Sequence, residues 1–237
     1  MFYFGIVTTV LSTILHLTVR AADIDVPYLP GILKMTASTG FLITALAAGA
    51  LRSRVGIAIF IGLFFSWFGD LFLIGSGPKY FLAGLVSFFI GHLCYATAFA
   101  AYRTNYRIAA IAIAILVIPG YLLSQWILPG VKDPGLRGPV IAYTCVITTM
   151  LALATGCLAR PGGILIFVGA FLFYLSDIFV ARAAFVASGF INSLIGLPLY
   201  FGGQAILAAS IRNIDVQRSA NSIQNPKSKI QNETATS

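Results

Sequence analysis

Two aspartates stand inside runs of aromatic and aliphatic residues. Asp70 lies in FSWFGDLFLI (65–74), and Asp177 lies in FLFYLSDIFV (171–180), which repeats the pattern of 64–73 at an offset of 107 positions. Apolar surroundings disfavour the charged form of a carboxylate, so an acid placed there can keep its proton and act as a general acid. Two such acids in unequal environments can divide proton transfer, one donating and the other accepting.

Lys34 is the cation that we expect to meet these acids. Counted along the predicted helices, the two aspartates lie at similar depth, and Lys34 reaches about the same level on a helix that runs the opposite way. One ammonium cannot neutralise two carboxylates, so we expect one aspartate to hold a proton near neutral pH. A purely structural bridge from Lys34 to one aspartate is the alternative, and it leaves the other carboxylate unexplained.

Further polar residues stand on the helix that follows each aspartate. His92 and Tyr95 are three apart, and Tyr200 and Gln204 are four apart, so each pair shares a helical face. We expect these four residues to bind substrate or position water, together with Ser176, which directly precedes the second aspartate. Packing is the alternative for each one taken singly, because Tyr, His and Ser also occur at ordinary helix contacts.

The elements that carry these residues are predicted to be membrane-spanning helices. Of the 237 residues, 59% are hydrophobic and 9% are charged, whereas soluble domains have about 45–50% apolar and about 25% charged residues. Apolar stretches of about 20 residues, the length that crosses a bilayer, recur along the chain. The predicted fold is all-α and polytopic, with eight transmembrane helices at Phe2–Val19, Leu29–Ala50, Val55–Ile74, Phe81–Ala101, Ile108–Leu128, Pro139–Leu158, Gly162–Ala187 and Ser193–Ile211.

The repeated aspartate motif divides this transmembrane domain, residues 1–211, into two halves. Each half holds four helices, an even number, so both halves enter the membrane in the same direction. This predicts two four-helix parallel repeats related by an axis along the membrane normal. Residues 212–237 are rich in Asn, Gln, Ser and Lys, which predicts a disordered cytoplasmic tail.

The net charge of +8 comes from basic residues at helix ends and in the tail, so it does not indicate a nucleic-acid partner. Their distribution follows the rule that positive residues face the cytoplasm, and it predicts a multi-pass protein of a bacterial-type plasma (inner) membrane with both termini cytoplasmic. The basic residues on the predicted cytoplasmic side are Arg52, Arg54, Arg103, Arg107, Arg160, Arg212 and Arg218, against Arg20, Lys79, Lys132 and Arg137 on the other.

Three kinds of function remain open for a membrane protein with these carboxylates. No P-loop, GxSxG, HExxH or CxxC motif occurs, which argues against the common nucleotide, serine-hydrolase and zinc chemistries. The chain could be an enzyme that uses acid/base catalysis, a small-solute or proton-coupled transporter, or a non-catalytic lipid-binding or scaffold protein. Transport is less favoured because corresponding positions of the two halves lack a clear pair of Gly/Pro-broken half-helices.

The ordered motifs resemble the YhhN-type membrane family, which includes the lysoplasmalogenases. The resemblance rests on Lys34 and on SWFGDLFL (66–73), GLVSFFIGHLCYATAF (84–99), YLSDIFVA (174–181) and LYFGGQAILAAS (199–210). It implies hydrolysis of the vinyl ether bond of lysoplasmalogens, which are alkenyl lysophospholipids. The products would be a fatty aldehyde and a glycerophosphoethanolamine or glycerophosphocholine.

That reaction suits a pair of carboxyl groups. Protonation of the vinyl ether β-carbon generates an oxocarbenium ion that water attacks, as in glycosidases, where one carboxyl donates a proton and the other activates water. We expect Asp177 to be the acid and Asp70 the base, and the chemistry needs no metal or organic cofactor. Lys34 is expected to hold one carboxylate ionised or to bind the lipid phosphate of the substrate. The expected partners are a lysophospholipid substrate and membrane lipids, with no obligate protein partner indicated.

Overall fold

Eight α-helices make up most of the chain that the structure describes. The computed structural model describes residues 1–102 and 104–224, with side chains to 214, and this part contains no β-strand. All eight helices are long and apolar enough to cross a membrane, which confirms the predicted all-α, multi-pass membrane fold. The helices are α1 Phe2–Ala21, α2 Leu29–Ala47, α3 Arg54–Phe72, α4 Pro78–Ala101, α5 Tyr106–Ile127, α6 Pro134–Gly156, α7 Gly163–Phe185 and α8 Phe190–Gln224, with 3-10 turns at Ala50–Arg52 and Leu128–Gly130.

Local sequence fixes where several helices begin. Ser53, Asn105 and Asp133 each accept a hydrogen bond from a backbone N–H in the first turn of α3, α5 and α6. Such a cap satisfies one of the N–H groups that a helix start leaves unpaired, and it is typically worth about 1 kcal/mol. Gly77 and Gly162 precede α4 and α7 with φ of 101° and 72°, a region that favours glycine. Consecutive helices are therefore joined by short, sharply turning connections.

Side-chain contacts distinguish the two ends of the bundle. At one end, the guanidinium of Arg212 lies 5.5 Å from the ring centroid of Phe2, so the start of α1 meets α8 near the limit of its apolar span. We call this the terminal end. At the opposite end, the rings of Phe81 and Phe185 meet edge to face, with their centroids 5.5 Å apart, which joins the start of α4 to the end of α7.

The buried centre lies between α2, α3, α4, α6, α7 and α8. Its largest wholly buried side chains include Phe41, Tyr95, Phe99, Phe173 and Phe201. Helix α1 packs on α2 and α8, and α5 packs mainly on α6, so these two helices lie at the periphery with exposed apolar side chains. In a membrane-spanning bundle such faces meet lipid, because the acyl chains are as apolar as the side chains.

The end of α8 departs from the predicted boundary. The helix continues to Gln224, past Ile211, so the first part of the predicted tail, 212–224, is helical in the structure. The rest of that predicted tail, 225–237, lies outside the described residues. The two-repeat arrangement and the cytoplasmic position of both termini stay predictions.

Glycines bring α7 and α8 into close contact beside the candidate site. A Cβ built on Gly203 would stand 2.8 Å from the backbone oxygen of Gly169 and 3.1 Å from the backbone nitrogen of Phe173. A Cβ built on the neighbouring Gly202 would meet nothing within 4 Å. Small residues allow transmembrane helices to approach in this way, and packing rather than a hydrophobic force then holds them together.

These neighbouring glycines generate a matched stability prediction. We expect Gly203→Ala to lower the free energy of unfolding by about 1–3 kcal/mol, because the added methyl group overpacks a backbone contact. Gly202→Ala should leave stability unchanged or raise it by up to about 1 kcal/mol, because alanine is the better helix former. Thermal unfolding of the detergent-solubilised variants measures both changes, and equal losses in the two variants would contradict the close approach.

Candidate active site

Asp70, on α3, is held by side chains from two other helices. The Nζ of Lys34 on α2 lies 3.2 Å from its Oδ1. Its Oδ2 accepts hydrogen bonds from Ser38 Oγ on α2, at 2.5 Å, and from the Tyr200 hydroxyl on α8, at 2.7 Å. Asp70 is only 1% exposed. Every one of these partners favours the ionised carboxylate, because each is a cation or a hydrogen-bond donor.

Asp177 has a different set of partners. Its Oδ2 accepts a hydrogen bond from the Tyr143 hydroxyl on α6, at 2.6 Å, and lies 3.2 Å from Nε2 of His92 on α4. Both contacts from the described residues reach Oδ2, which leaves Oδ1 for a ligand. No Lys or Arg in the described part of the chain lies within ion-pair distance of Asp177. The two aspartates therefore stand in unlike electrostatic surroundings.

Both carboxyl groups border one cavity. It has a volume of about 430 Å³, and Lys34, Tyr143 and Tyr200 line it together with the two aspartates. Most of the remaining wall is aliphatic or aromatic and comes from α4, α5, α6, α7 and α8. Its apolar part includes Leu73, Phe81, Leu85, Phe88, Leu123, Ile127, Val140, Ile147, Ile178 and Leu197. A few polar groups in an apolar cavity of this size are typical of a site for a small, mostly apolar ligand.

The other predicted site residues lie behind this wall. His92 is wholly buried and reaches Asp177 from behind, while its Nδ1 faces the sulfur of Met150 at 3.4 Å. The Tyr95 hydroxyl donates to Gln204 Oε1 at 2.8 Å, which joins α4 to α8 on the terminal side of the cavity. These residues can support the site, but they do not line the cavity.

Ser176 does not reach the carboxyl group beside it in sequence. Its hydroxyl donates to the backbone oxygen of Phe173, one turn earlier in α7, at 2.7 Å. Ser66, four residues before Asp70, likewise donates to the backbone oxygen of Gly62. The side chains that do reach the aspartates come from neighbouring helices.

Two residues of the cavity region, Ser38 and Tyr143, were missed by the sequence reasoning. Ser38 stands four residues after Lys34, so helical spacing alone could have placed it on the same face. Tyr143 belongs to no repeated motif, and nothing in the sequence indicates its contact with Asp177. Tyr174 also lines the cavity and is 7% exposed. In the described part of the chain, two buried side-chain nitrogen or oxygen atoms have no hydrogen-bond partner, and the Tyr174 hydroxyl oxygen is one of them. The other is Nε2 of Gln204.

Comparison with known proteins places the site inside a matched region. The family model described as the YhhN family matches residues 32–211, which include every site residue above. The chain is 28% identical to lysoplasmalogenase TMEM86A of Bos taurus over 158 residues, which span 64% of each protein. It is 45% identical to lysoplasmalogenase TMEM86A of Homo sapiens over 58 residues, 23% of this chain and 24% of that protein. No solved structure matches the chain.

The buried ion pair generates a stability prediction. Lys34→Met removes the cation beside Asp70 and should lower the free energy of unfolding by about 3–5 kcal/mol, because a buried charge loses its partner. The double variant Lys34→Met with Asp70→Asn removes both charges and should recover most of that loss. Thermal unfolding in detergent measures the difference, with Lys79→Met, an exposed lysine, as the control. A double variant no more stable than Lys34→Met would mean that the ion pair is not the cause.

Proposed function

We propose that this chain, which belongs to the YhhN family, hydrolyses the vinyl ether bond of lysoplasmalogens with Asp70 and Asp177. The observation that carries the proposal is that Asp70 and Asp177 border one apolar cavity with unlike partners. The names of the bovine and human relatives support the same substrate class. An alkenyl lysophospholipid combines a long apolar chain with a single acid-labile bond. The apolar wall of the cavity suits the chain, and the two aspartates suit the acid-labile bond.

The reaction needs one proton donor and one proton acceptor. The acid transfers a proton to the β-carbon of the vinyl ether, the electron pair of the double bond forms the new C–H bond, and the α-carbon becomes an oxocarbenium carbon. Water adds to that carbon and gives a proton to the base, which forms a hemiacetal. The hemiacetal hydroxyl then loses its proton and its oxygen forms the C=O bond, while the bond to the glycerol oxygen breaks and that oxygen takes up a proton. The products are a fatty aldehyde and the glycerophospho-headgroup.

The surroundings of the two carboxyl groups support a division of roles. Lys34, Ser38 and Tyr200 favour the ionised form of Asp70, which suits a base that accepts the proton of water and faces a developing positive charge. Asp177 has tyrosine and histidine partners and no Lys or Arg within ion-pair distance in the described chain, which suits the proton donor. Tyr143 and His92 then hold the Asp177 carboxyl group in place through Oδ2.

Aldehyde release by aspartate variants tests the proposal. Purified protein in detergent should release fatty aldehyde from an alkenyl lysophospholipid but not from its saturated alkyl analogue, which has no double bond to protonate. Asp70→Asn and Asp177→Asn should each lower the rate by about 100-fold or more, the range of general acid–base catalysis. Asp133→Asn is the matched control, because Asp133 is exposed at the start of α6.

Two outcomes would contradict this assignment. Full activity in a folded Asp70→Asn or Asp177→Asn variant would remove that residue from the mechanism. Solute flux through proteoliposomes, without aldehyde from the alkenyl lipid, would identify a transporter instead.

Tyr143 provides a separate kinetic prediction. Tyr143→Phe keeps the ring but removes the hydroxyl that donates to Asp177 at 2.6 Å. A hydrogen bond between neutral groups is worth about 0.5–1.5 kcal/mol, so we expect kcat to fall about 2- to 10-fold while KM changes little. Tyr121→Phe, at an exposed tyrosine of α5, is the control and should retain full activity. A change confined to KM would instead indicate that Tyr143 contributes to lipid binding alone.

A further inference from the structure

Asn192 lines the cavity where α7 ends and α8 begins, at the opposite end of the bundle; we call this part of the wall the rim. Arg182 does not line the cavity itself but contacts Asn192 there. Nη1 of Arg182, on α7, donates to Oδ1 of Asn192, on α8, at 2.6 Å. Nδ2 of Asn192 in turn donates to the backbone oxygen of Ala187 at 2.8 Å. Asn192 is only 6% exposed. Its amide is fixed at both ends, so it holds the guanidinium of Arg182 beside the rim.

The charge of Arg182 has no carboxylate partner within the described chain. Its hydrogen bonds go to Asn192 Oδ1 and to the backbone oxygen of Ala187, both of which are neutral acceptors. Arginine has five N–H donors in a planar fork, and both of these hydrogen bonds use Nη1 alone. A half-buried guanidinium with free donors suits an anionic group with several oxygens, and phosphate fits the fork bidentately.

The start of α8 adds to the attraction for an anion at this position. The helix begins at Phe190, and Ser193, in its first turn, lines the cavity next to Asn192. The first N–H groups of a helix lack partners within it, and their dipoles favour negative charge nearby. The positive charge of Arg182 and the N–H groups at the start of α8 therefore both favour an anion at the rim.

The position along α7 matches the dimensions of the proposed substrate. Arg182 follows Asp177 by five residues, which places it about 7.5 Å further along the helix axis toward the opposite end. In a lysophospholipid, one glycerol unit separates the vinyl ether from the phosphate, and its length is similar. A lipid with its ether bond beside Asp177 would bring its phosphate to the level of the rim.

We infer that Arg182, oriented by Asn192, binds the phosphate of the lysophospholipid headgroup and sets the position of the ether bond at the two aspartates. The identity of the lipid rests on the proposed function, whereas recognition of the phosphate rests on the rim itself. Arg182 is a substrate-positioning residue in this account and takes no part in proton transfer.

Binding of uncleavable lipids tests this inference without requiring catalysis. The probes are a saturated 1-alkyl lysophospholipid and the 1-alkyl glycerol of the same chain length, which lacks the phosphate. Wild-type protein in detergent should bind the phospholipid more tightly, and Arg182→Gln should reduce that preference at least about tenfold, as expected for a charge-assisted contact. Arg182→Lys should retain part of the preference. Arg137→Gln, at an exposed arginine of α6, is the matched control and should retain all of it.

The remaining outcomes decide the inference either way. An unchanged preference in folded Arg182→Gln, or an equal loss of affinity for both lipids, would overturn it. Glycerophosphate that binds as tightly as the alkyl lysophospholipid would also overturn it, since the ligand would then be a soluble phosphate. A wild-type protein that prefers the phospholipid but releases no aldehyde would sustain the phosphate site and refute the proposed hydrolysis.

Discussion

The ion pair between Lys34 and Asp70 is the interaction on which the arrangement of the bundle depends. A carboxylate inside a membrane-spanning bundle is costly, and an insertion scale puts the cost near the helix centre at about 2.5–3.5 kcal/mol. Asp70 offsets this cost by drawing Lys34 and Ser38 from α2 and Tyr200 from α8 onto one carboxyl group. Three helices must then pack closely around that point, and the glycine contact between α7 and α8 helps to bring α8 there.

Asp177 is contacted from two neighbouring helices, as Asp70 is, but none of its partners is a lysine or arginine. Asp70 is met by side chains from α2 and α8, and Asp177 by side chains from α6 and α4. Shifting each helix number by four converts one set into the other, which is consistent with the predicted repeat and leaves it a prediction. Where the first set has Lys34, the second has the neutral Tyr143. One motif used twice, with a cation in only one copy, can thus supply an acid and a base within a single cavity.

Sequence reasoning reached the helices and the two aspartates because both leave strong local signals. The sequence alone shows a span of about 20 apolar residues, and a carboxylate inside such a span is rare enough to indicate a functional residue. Helical spacing placed Tyr95 and Gln204 on site-facing sides but did not fix their depth, and they meet each other behind the cavity wall. Tyr143 could not be found, since its role depends on how α6 packs against α4 and α7. Ser176 was expected at the site because it precedes Asp177 in sequence, but consecutive side chains on a helix do not face each other, and its hydroxyl bonds to the backbone instead.

The distribution of polar groups along the bundle favours an enzyme over a transport path. The side chains that contact the aspartates stand at one level of the cavity, and the Arg182–Asn192 pair lies one turn or more from them toward the opposite end. Toward the terminal end, the core continues with the wholly buried Phe99, Met150 and Leu207 and with the Tyr95–Gln204 hydrogen bond. A transported solute would have to pass through this packed layer, whereas an amphiphilic lipid needs to enter from one side only. The packed layer bounds the cavity on its terminal side, so a ligand beside the aspartates has no continuous path to the terminal end through the described core.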